Sequence, residues 1–275
     1  MTEDSLHYDG TLAVIGGGRM GEAIVGGLVR SGAVPATSIT VAEPSAQRRE
    51  ALAAAFGVRC VADGAEALPA DTVILAVKPQ VIDAVAAALS SSLADSVVVS
   101  IAVGITCARL EAALPSGTAV VRVMPNTPAL VDEGMAACAP GAHCDQAHLD
   151  EARQLLEAVG RVVVLEEKHL DAVTAISGSG PAYFFYIAEA MIEAGVFLGL
   201  PRSTATELVV QTCYGAATML RETGEHPSVL RENVTSPGGT TVAALRTLDD
   251  HKVRAAFISA LEAARDRSRD LASGS

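Results

Sequence analysis

At 275 residues the chain has room for one large core or two modest ones, so one or two domains are expected. Half of the residues are hydrophobic, aromatics make up 3% and Trp is absent; such a mix of small aliphatic residues suits close-packed helices and parallel strands rather than an aromatic-rich β-sandwich. A net charge of −12 argues against nucleic acid or an anionic membrane as a standing partner, while leaving room for one local site that takes a small anion. The five cysteines, Cys60, Cys107, Cys138, Cys144 and Cys213, form no CxxC pair, as expected of plain thiols in a reducing compartment. The polar opening MTEDSLHYDG is no signal peptide, and no run of about 18 apolar residues offers a membrane span. A soluble, cytoplasmic protein is expected.

In chain order, residues 11–15 (TLAVI) form a short apolar run ending in glycines, a buried strand. A helix is expected over residues 20–31, closed by Gly32, then a strand at 39–42, a helix at 46–56 and a short strand at 59–61. TVILAV (72–77) and SVVVSIAV (96–103) have the character of fully buried parallel strands, with a helix over 81–89 between them. A further helix ends near Leu114, and residues 119–123 supply another strand. Strands alternating with helices mean βαβ units and a doubly wound, mainly parallel sheet. After about Leu165 the pattern turns helical almost throughout, with long segments at 183–198, 202–222 and 252–271. The expected organisation is therefore an α/β dinucleotide-binding domain over residues 1–166 and an all-helical domain over residues 167–275.

Gly16-Gly17-Gly18-Arg19-Met20-Gly21 fits GxGxxG through Gly16, Gly18 and Gly21. It follows a strand and opens a helix, the context in which glycines permit a tight turn and close approach of a pyrophosphate to a helix N-terminus. Glu43 ends the second strand, where an acid accepts hydrogen bonds from the adenosine ribose and favours NAD. Ser45, Arg48 and Arg49 follow at once and are placed to hold a 2′-phosphate if Glu43 turns away, or Glu43 is simply a solvated loop acid. Val77-Lys78-Pro79 ends the strand at 72–77, on the carboxyl rim where α/β sheets bind ligands. Lys78, one of three lysines, is either cofactor-facing or an ordinary surface residue. Val103 lies on the same rim. So does Met124-Pro125-Asn126-Thr127-Pro128, in which Asn126 is an orienting group or part of a purely structural turn.

The helical half carries two Gly/Ser clusters of interest. Ser177-Gly178-Ser179-Gly180-Pro181 precedes the helix AYFFYIAEAMIEAG; its hydroxyls are expected to cap that helix, with Pro181 in the first turn. Tyr183, Phe184 and Tyr186 have the spacing of core packing. The segment from Asn233 through Ser236, Gly239, Thr240 and Thr241 (NVTSPGGTT) runs into VAALRTL. Free N–H groups and hydroxyls converge there, which is an anion site suited to a carboxylate without Arg or Lys; a plain N-cap is the simpler alternative. His226 is expected to cap a turn, and the histidines and cysteines show no metal-ligand spacing.

Taken together, IGGGRMGEAIVGGL, AVKPQ, VSIAVGIT, RVMPNTPALV, DAVTAISGSGPAYFF, GLPR and above all ENVTSPGGTTVAALRTL resemble the pyrroline-5-carboxylate reductase family over nearly the whole chain. The resemblance implies an N-terminal Rossmann domain and a C-terminal helical domain that forms an intertwined homodimer, often assembled into rings such as decamers. It implies that NADPH delivers hydride to the C=N carbon of 1-pyrroline-5-carboxylate, giving L-proline in the last step of proline biosynthesis. By the same resemblance Gly16, Gly17, Gly18, Arg19, Met20, Gly21, the segment with Glu43, Ser45 and Arg48, and Val77, Lys78 and Val103 contact cofactor. Glu167, Asn233, Ser236, Thr240 and Thr241 surround substrate, with the Thr241 hydroxyl near the ring nitrogen. Glu43 departs from the hydroxyl or basic character frequent after the second strand and keeps NADH open as donor. A β-hydroxyacid dehydrogenase or related imine reductase of the same plan is the nearest rival, but such dehydrogenases carry a lysine on the long helix after the Rossmann domain, and residues 182–195 contain none. A non-catalytic dinucleotide sensor would have no need of the SPGGTT cradle.

Overall fold

The computed structural model describes residues 8–93 and 95–273. Eight strands form one sheet: β1 (Leu12–Ile15), β2 (Ile39–Ala42), β3 (Arg59–Val61), β4 (Thr72–Leu75), β5 (Val97–Ser100), β6 (Ala119–Met124), β7 (Gly134–Pro140) and β8 (Gly160–Val164). Their order is β3-β2-β1-β4-β5-β6-β7-β8, parallel throughout except for the antiparallel β6–β7 pair. The crossover from β3 back to β4 beside β1 creates the switch point where a doubly wound sheet opens a crevice at its carboxyl edge.

Strand alternation sorts side chains onto the two faces. Leu12 and Val14 of β1 join a core with Ile24, Val25 and Leu28 of α1 (Arg19–Ser31) and Leu52 of α2 (Ala46–Phe56). Ala13 and Ile15 face the other way, onto Ile82, Ala86 and Leu89 of α3 (Ile82–Leu89) and Leu110 of α4 (Cys107–Ala113). Each fully buried Leu or Ile in these layers contributes about 1.5–3 kcal/mol. Two of these helices begin on residues that satisfy free N–H groups: Ser45 of α2 accepts from Arg48 N and Thr106 of α4 from Arg109 N.

Two apolar runs are shorter as strands than their sequence suggests. β4 stops at Leu75 and β5 at Ser100, so residues 76–77 and 101–103 run past the strand ends and line the cleft. The region from 134 to 164, which carries no expected element, holds β7, α5 (Gln146–Glu157) and β8. A signal for α5 is present: Asp145 and His148 form a reciprocal capping box, and Leu149, Ala152, Leu155 and Leu156 lie on one buried face.

The remaining elements are α6 (Leu170–Val173), α7 (Gly180–Phe197), α8 (Arg202–Thr223), α9 (Pro227–Asn233), α10 (Thr240–Asp250) and α11 (Val253–Ser273). By contacts the chain divides into a unit up to Ser179 joined by the residues from Ala264 onward, and a helical unit Gly180–Ala263. The short stretch after residue 166 therefore packs with the sheet. Leu170 is buried against Ala137 and Ala139 of β7, and Ser268 of α11 bonds Asp171 at 2.8 Å. Within the helical unit, α7 and α8 approach closely where Gly195 faces Ala205; a Cβ on Gly195 would lie 2.9 Å from that of Ala205.

Two local expectations are corrected. The Ser177–Pro181 cluster is no capped break: α6 passes through a π-helical turn at Thr174–Gly178 into α7, and the Ser177 hydroxyl donates back to Val173 O at 3.2 Å. Phe184 and Tyr186 are not core residues of the single chain; they are 71% and 75% exposed, because α7 has apolar residues on more faces than α8 covers. His226 does cap a turn, accepting from Ser228 N at the start of α9. No helix among the described residues is long and apolar enough to cross a membrane.

Candidate active site

The cleft lies at the carboxyl edge around the switch point. Residues 18–20, 76–79, 101–103, 124–127 and Gly178 line an open space of about 420 Å³. Its geometry depends on glycine at Gly16, where φ is +110° and a Cβ would lie 2.6 Å from Ala76 O. At the start of α1, Gly18 is the N-cap with no side-chain hydrogen bond, and nothing lies within 4 Å of the place a Cβ would take. The first-turn N–H groups, including those of Arg19 and Met20, therefore open onto space at the positive end of a helix, which fits a diphosphate. A dinucleotide held there would extend toward the rim formed by Val77, Lys78, Pro79 and Val103, all four of which line the cleft.

At the β2 end the loop residues are firmly tied. Glu43 accepts from Gly17 N at 3.0 Å and from Ser45 N at 2.9 Å. Arg48 donates to Gly17 O and, at 3.0 Å, to Glu22. Arg49 reaches the carbonyls of Glu43 and Pro44 at 2.8 and 2.7 Å. Glu43 is thus no solvated loop acid; it bridges the Gly-rich turn and the start of α2.

Asn126 is 8% exposed and engaged at both ends of its amide. Its Nδ2 donates to Ser177 O at 3.1 Å and its Oδ1 accepts from Met135 N at 2.8 Å. Both amide ends hold the Met124–Thr127 rim to β7 and to the π-helical turn, and a Cβ on Gly178 would overlap Met124 Cε. Asn126 shapes the cleft by positioning backbone.

Glu167 lies outside the cleft lining. It accepts from Arg122 Nη1 at 3.1 Å and from Cys107 N, the first residue of α4, at 2.8 Å. The Arg122 side chain is 7% exposed and that of Glu167 29%, so this is a mostly buried ion pair across strand and helix. The Cys107 thiol beside it is pushed up to about 12, first by burial and then by the Glu167 charge.

The helical unit carries the second constellation. Asn233 ends α9, Ser236 begins a turn in which Gly239 N donates to Ser236 O at 3.0 Å, and Gly238 takes φ +66°. Gly239 is the N-cap of α10 with no side-chain capping bond, and a Cβ there would overlap the Ser236 hydroxyl oxygen. Thr240 and Thr241 form the first turn. An uncapped helix N-terminus flanked by hydroxyls is what a carboxylate requires.

A doubly wound sheet with an uncapped glycine-rich helix start at its switch point defines a dinucleotide-binding protein of the Rossmann type. The family model for pyrroline-5-carboxylate reductase dimerisation matches residues 167–271, and that for NADP oxidoreductase, coenzyme F420-dependent, matches residues 11–104. The chain is 47% identical to the pyrroline-5-carboxylate reductase of Corynebacterium melassecola over 95% of its own length and 98% of that protein. It is similar in structure to a pyrroline-5-carboxylate reductase from Coxiella burnetii (TM-score 0.89, 38% identity, 96% and 99% of the two chains). It is likewise similar to a Plasmodium falciparum pyrroline carboxylate reductase with NADP bound (TM-score 0.88, 28% identity, 97% and 99%). The chain belongs to the pyrroline-5-carboxylate reductase family.

Proposed function

We propose that this protein reduces 1-pyrroline-5-carboxylate to L-proline at the expense of a reduced nicotinamide dinucleotide, as the names of its relatives indicate for them. The observation that carries the substrate half is the uncapped, hydroxyl-flanked N-terminus of α10, which suits a small carboxylate without a basic side chain. When bound, the dinucleotide supplies hydride to the C=N carbon. The N–H groups at Gly239–Thr241 and the Ser236 hydroxyl hold the carboxylate, and the Thr241 hydroxyl serves the ring nitrogen. Asn233 supports the turn that presents them. A cyclic imine takes its proton readily from water, so orientation contributes much of the rate and no strong built-in acid is needed. The start of α1 holds the diphosphate, while Val77 and Val103 offer an apolar wall and Lys78 and Pro79 a rim.

On this reading the sheet-bearing part binds cofactor and the helical part binds substrate and dimerises. Self-association is supported by Phe197 and Leu198, 90% and 85% exposed on the single chain; rings of dimers are the further assembly that the resemblance implies. Five free thiols suit a cytoplasmic location. NADPH is the donor implied by family resemblance, and NADP is the ligand of the Plasmodium relative; the hydride-bearing end is common to NADH. Incubating purified protein with pyrroline-5-carboxylate and either dinucleotide should consume dinucleotide absorbance and yield proline. A folded sample that forms no proline with either one would overturn the assignment.

A further inference from the structure

Resting on the reductase reading above, we propose that Glu43 makes this chain selective for a dinucleotide with a free 2′-hydroxyl, NADH over NADPH. The carboxylate is set at the carboxyl end of β2, between the two loops that frame the adenosine ribose in a βαβ site. It is fixed there by two backbone donors, Gly17 N at 3.0 Å and Ser45 N at 2.9 Å. Its stem is packed as well: a Cβ on Gly17 would lie 3.1 Å from Glu43 Cβ and 2.6 Å from Leu52 Cδ1. A carboxylate has about four lone-pair sites, so two N–H bonds leave acceptor capacity for ribose hydroxyls, which donate. A 2′-phosphate in the same place meets a like charge.

The two cations that follow β2 are turned elsewhere. Arg48 spends its fork on Gly17 O and Glu22, and Arg49 on the carbonyls of Glu43 and Pro44. Accepting the phosphate requires Glu43 to leave both N–H groups and Arg48 to leave both of its acceptors. Accepting a 2′-hydroxyl requires no rearrangement at all.

Direct binding tests this without turnover. Fluorescence titration of the full-length protein should show NADH binding at least about tenfold tighter than NADPH, given like charges at short range near a protein surface. Calorimetry with the adenosine halves alone should rank 5′-ADP above 2′,5′-ADP. Glu43→Gln keeps an oxygen acceptor for Gly17 N and removes the charge. It should narrow the NADH-to-NADPH ratio at least about fivefold, equal to about 1 kcal/mol at 1.4 kcal/mol per decade, with an unchanged melting temperature as the folding control. Wild-type protein that binds NADPH as tightly as NADH, or a ratio that Glu43→Gln leaves unmoved, overturns the proposal while the reductase assignment stands. Failure of both dinucleotides to bind overturns the reductase assignment itself, and the proposal with it.

Discussion

Glu167→Gln separates two roles for one side chain. The family resemblance places Glu167 around the substrate, whereas the structure ties it to Arg122 at 3.1 Å and to Cys107 N at 2.8 Å. Glutamine preserves an acceptor for the Cys107 amide but leaves the Arg122 guanidinium without its counter-charge. Removing one partner of a fully buried pair costs about 3–5 kcal/mol. Glu167 retains 29% of its side-chain exposure, so water screens part of that loss and about 2–3 kcal/mol is expected. For a unit of this size the melting temperature should fall by about 5–10 °C. The Arg122→Met, Glu167→Gln double variant should lose less than the two single losses added, because no unpaired buried charge remains. Thermal melts of the four proteins, with KM for the imine measured on each, decide the matter. A melting temperature within about 1 °C of wild type, together with a raised KM, would refute the structural assignment of Glu167 and return it to the substrate.

Three further outcomes follow from other parts of the molecule. Thr241→Ala should lower kcat/KM roughly tenfold, the cost of one hydrogen bond to the reacting ring, and leave dinucleotide affinity unchanged; weakened dinucleotide binding with spared turnover would assign the site to the cofactor. Asp71 accepts from Thr11 N and Oγ1, each at 2.7 Å, and these bonds hold its carboxyl below the usual carboxylate range. The unfolded chain then binds more protons than the folded one through that window, so this stabilisation is present at neutral pH and lost as pH falls through the folded-state value. Denaturant midpoints followed into acid should therefore drop less steeply for Asp71→Asn than for wild type. Burial pushes the thiols of Cys107 and Cys138 up to about 12, so a thiol reagent near neutral pH should leave both unmodified until the chain unfolds; mass spectrometry showing either one labelled in the native state would contradict this.

Much of the fold was legible because its signals act over a few residues. The runs at Leu12–Ile15, Ile39–Ala42 and Thr72–Leu75 and the glycines around Gly16 each report a local backbone demand. The order of strands at the switch point is a tertiary result, since the same alternation of strand and helix is compatible with more than one order. The SPGGTT turn could also be recognised from composition alone, since hydroxyls and glycines before an apolar helix announce an open N-terminus. The edge formed by β7 and β8 was not legible, because Gly134–Pro140 is a run of small residues whose burial depends on β6 lying alongside.

Which way a polar side chain turns was decided by tertiary structure. Glu43 meets Gly17, Asn126 meets Ser177, and Arg122 meets Glu167. These partners lie 26, 51 and 45 positions apart in the chain, so they meet only once the elements that carry them are packed side by side. Phe184 and Tyr186 make the same point from the apolar side. A helical spacing states that a residue wants to be buried, but whether its own chain has a surface left to cover it is settled by packing, and here α8 covers α7 on one side only. Chain-local physics thus determines which elements form and which glycine-rich helix starts stay uncapped. Long-range packing determines which charges are spent on structure, as those of Arg122 and Glu167 are.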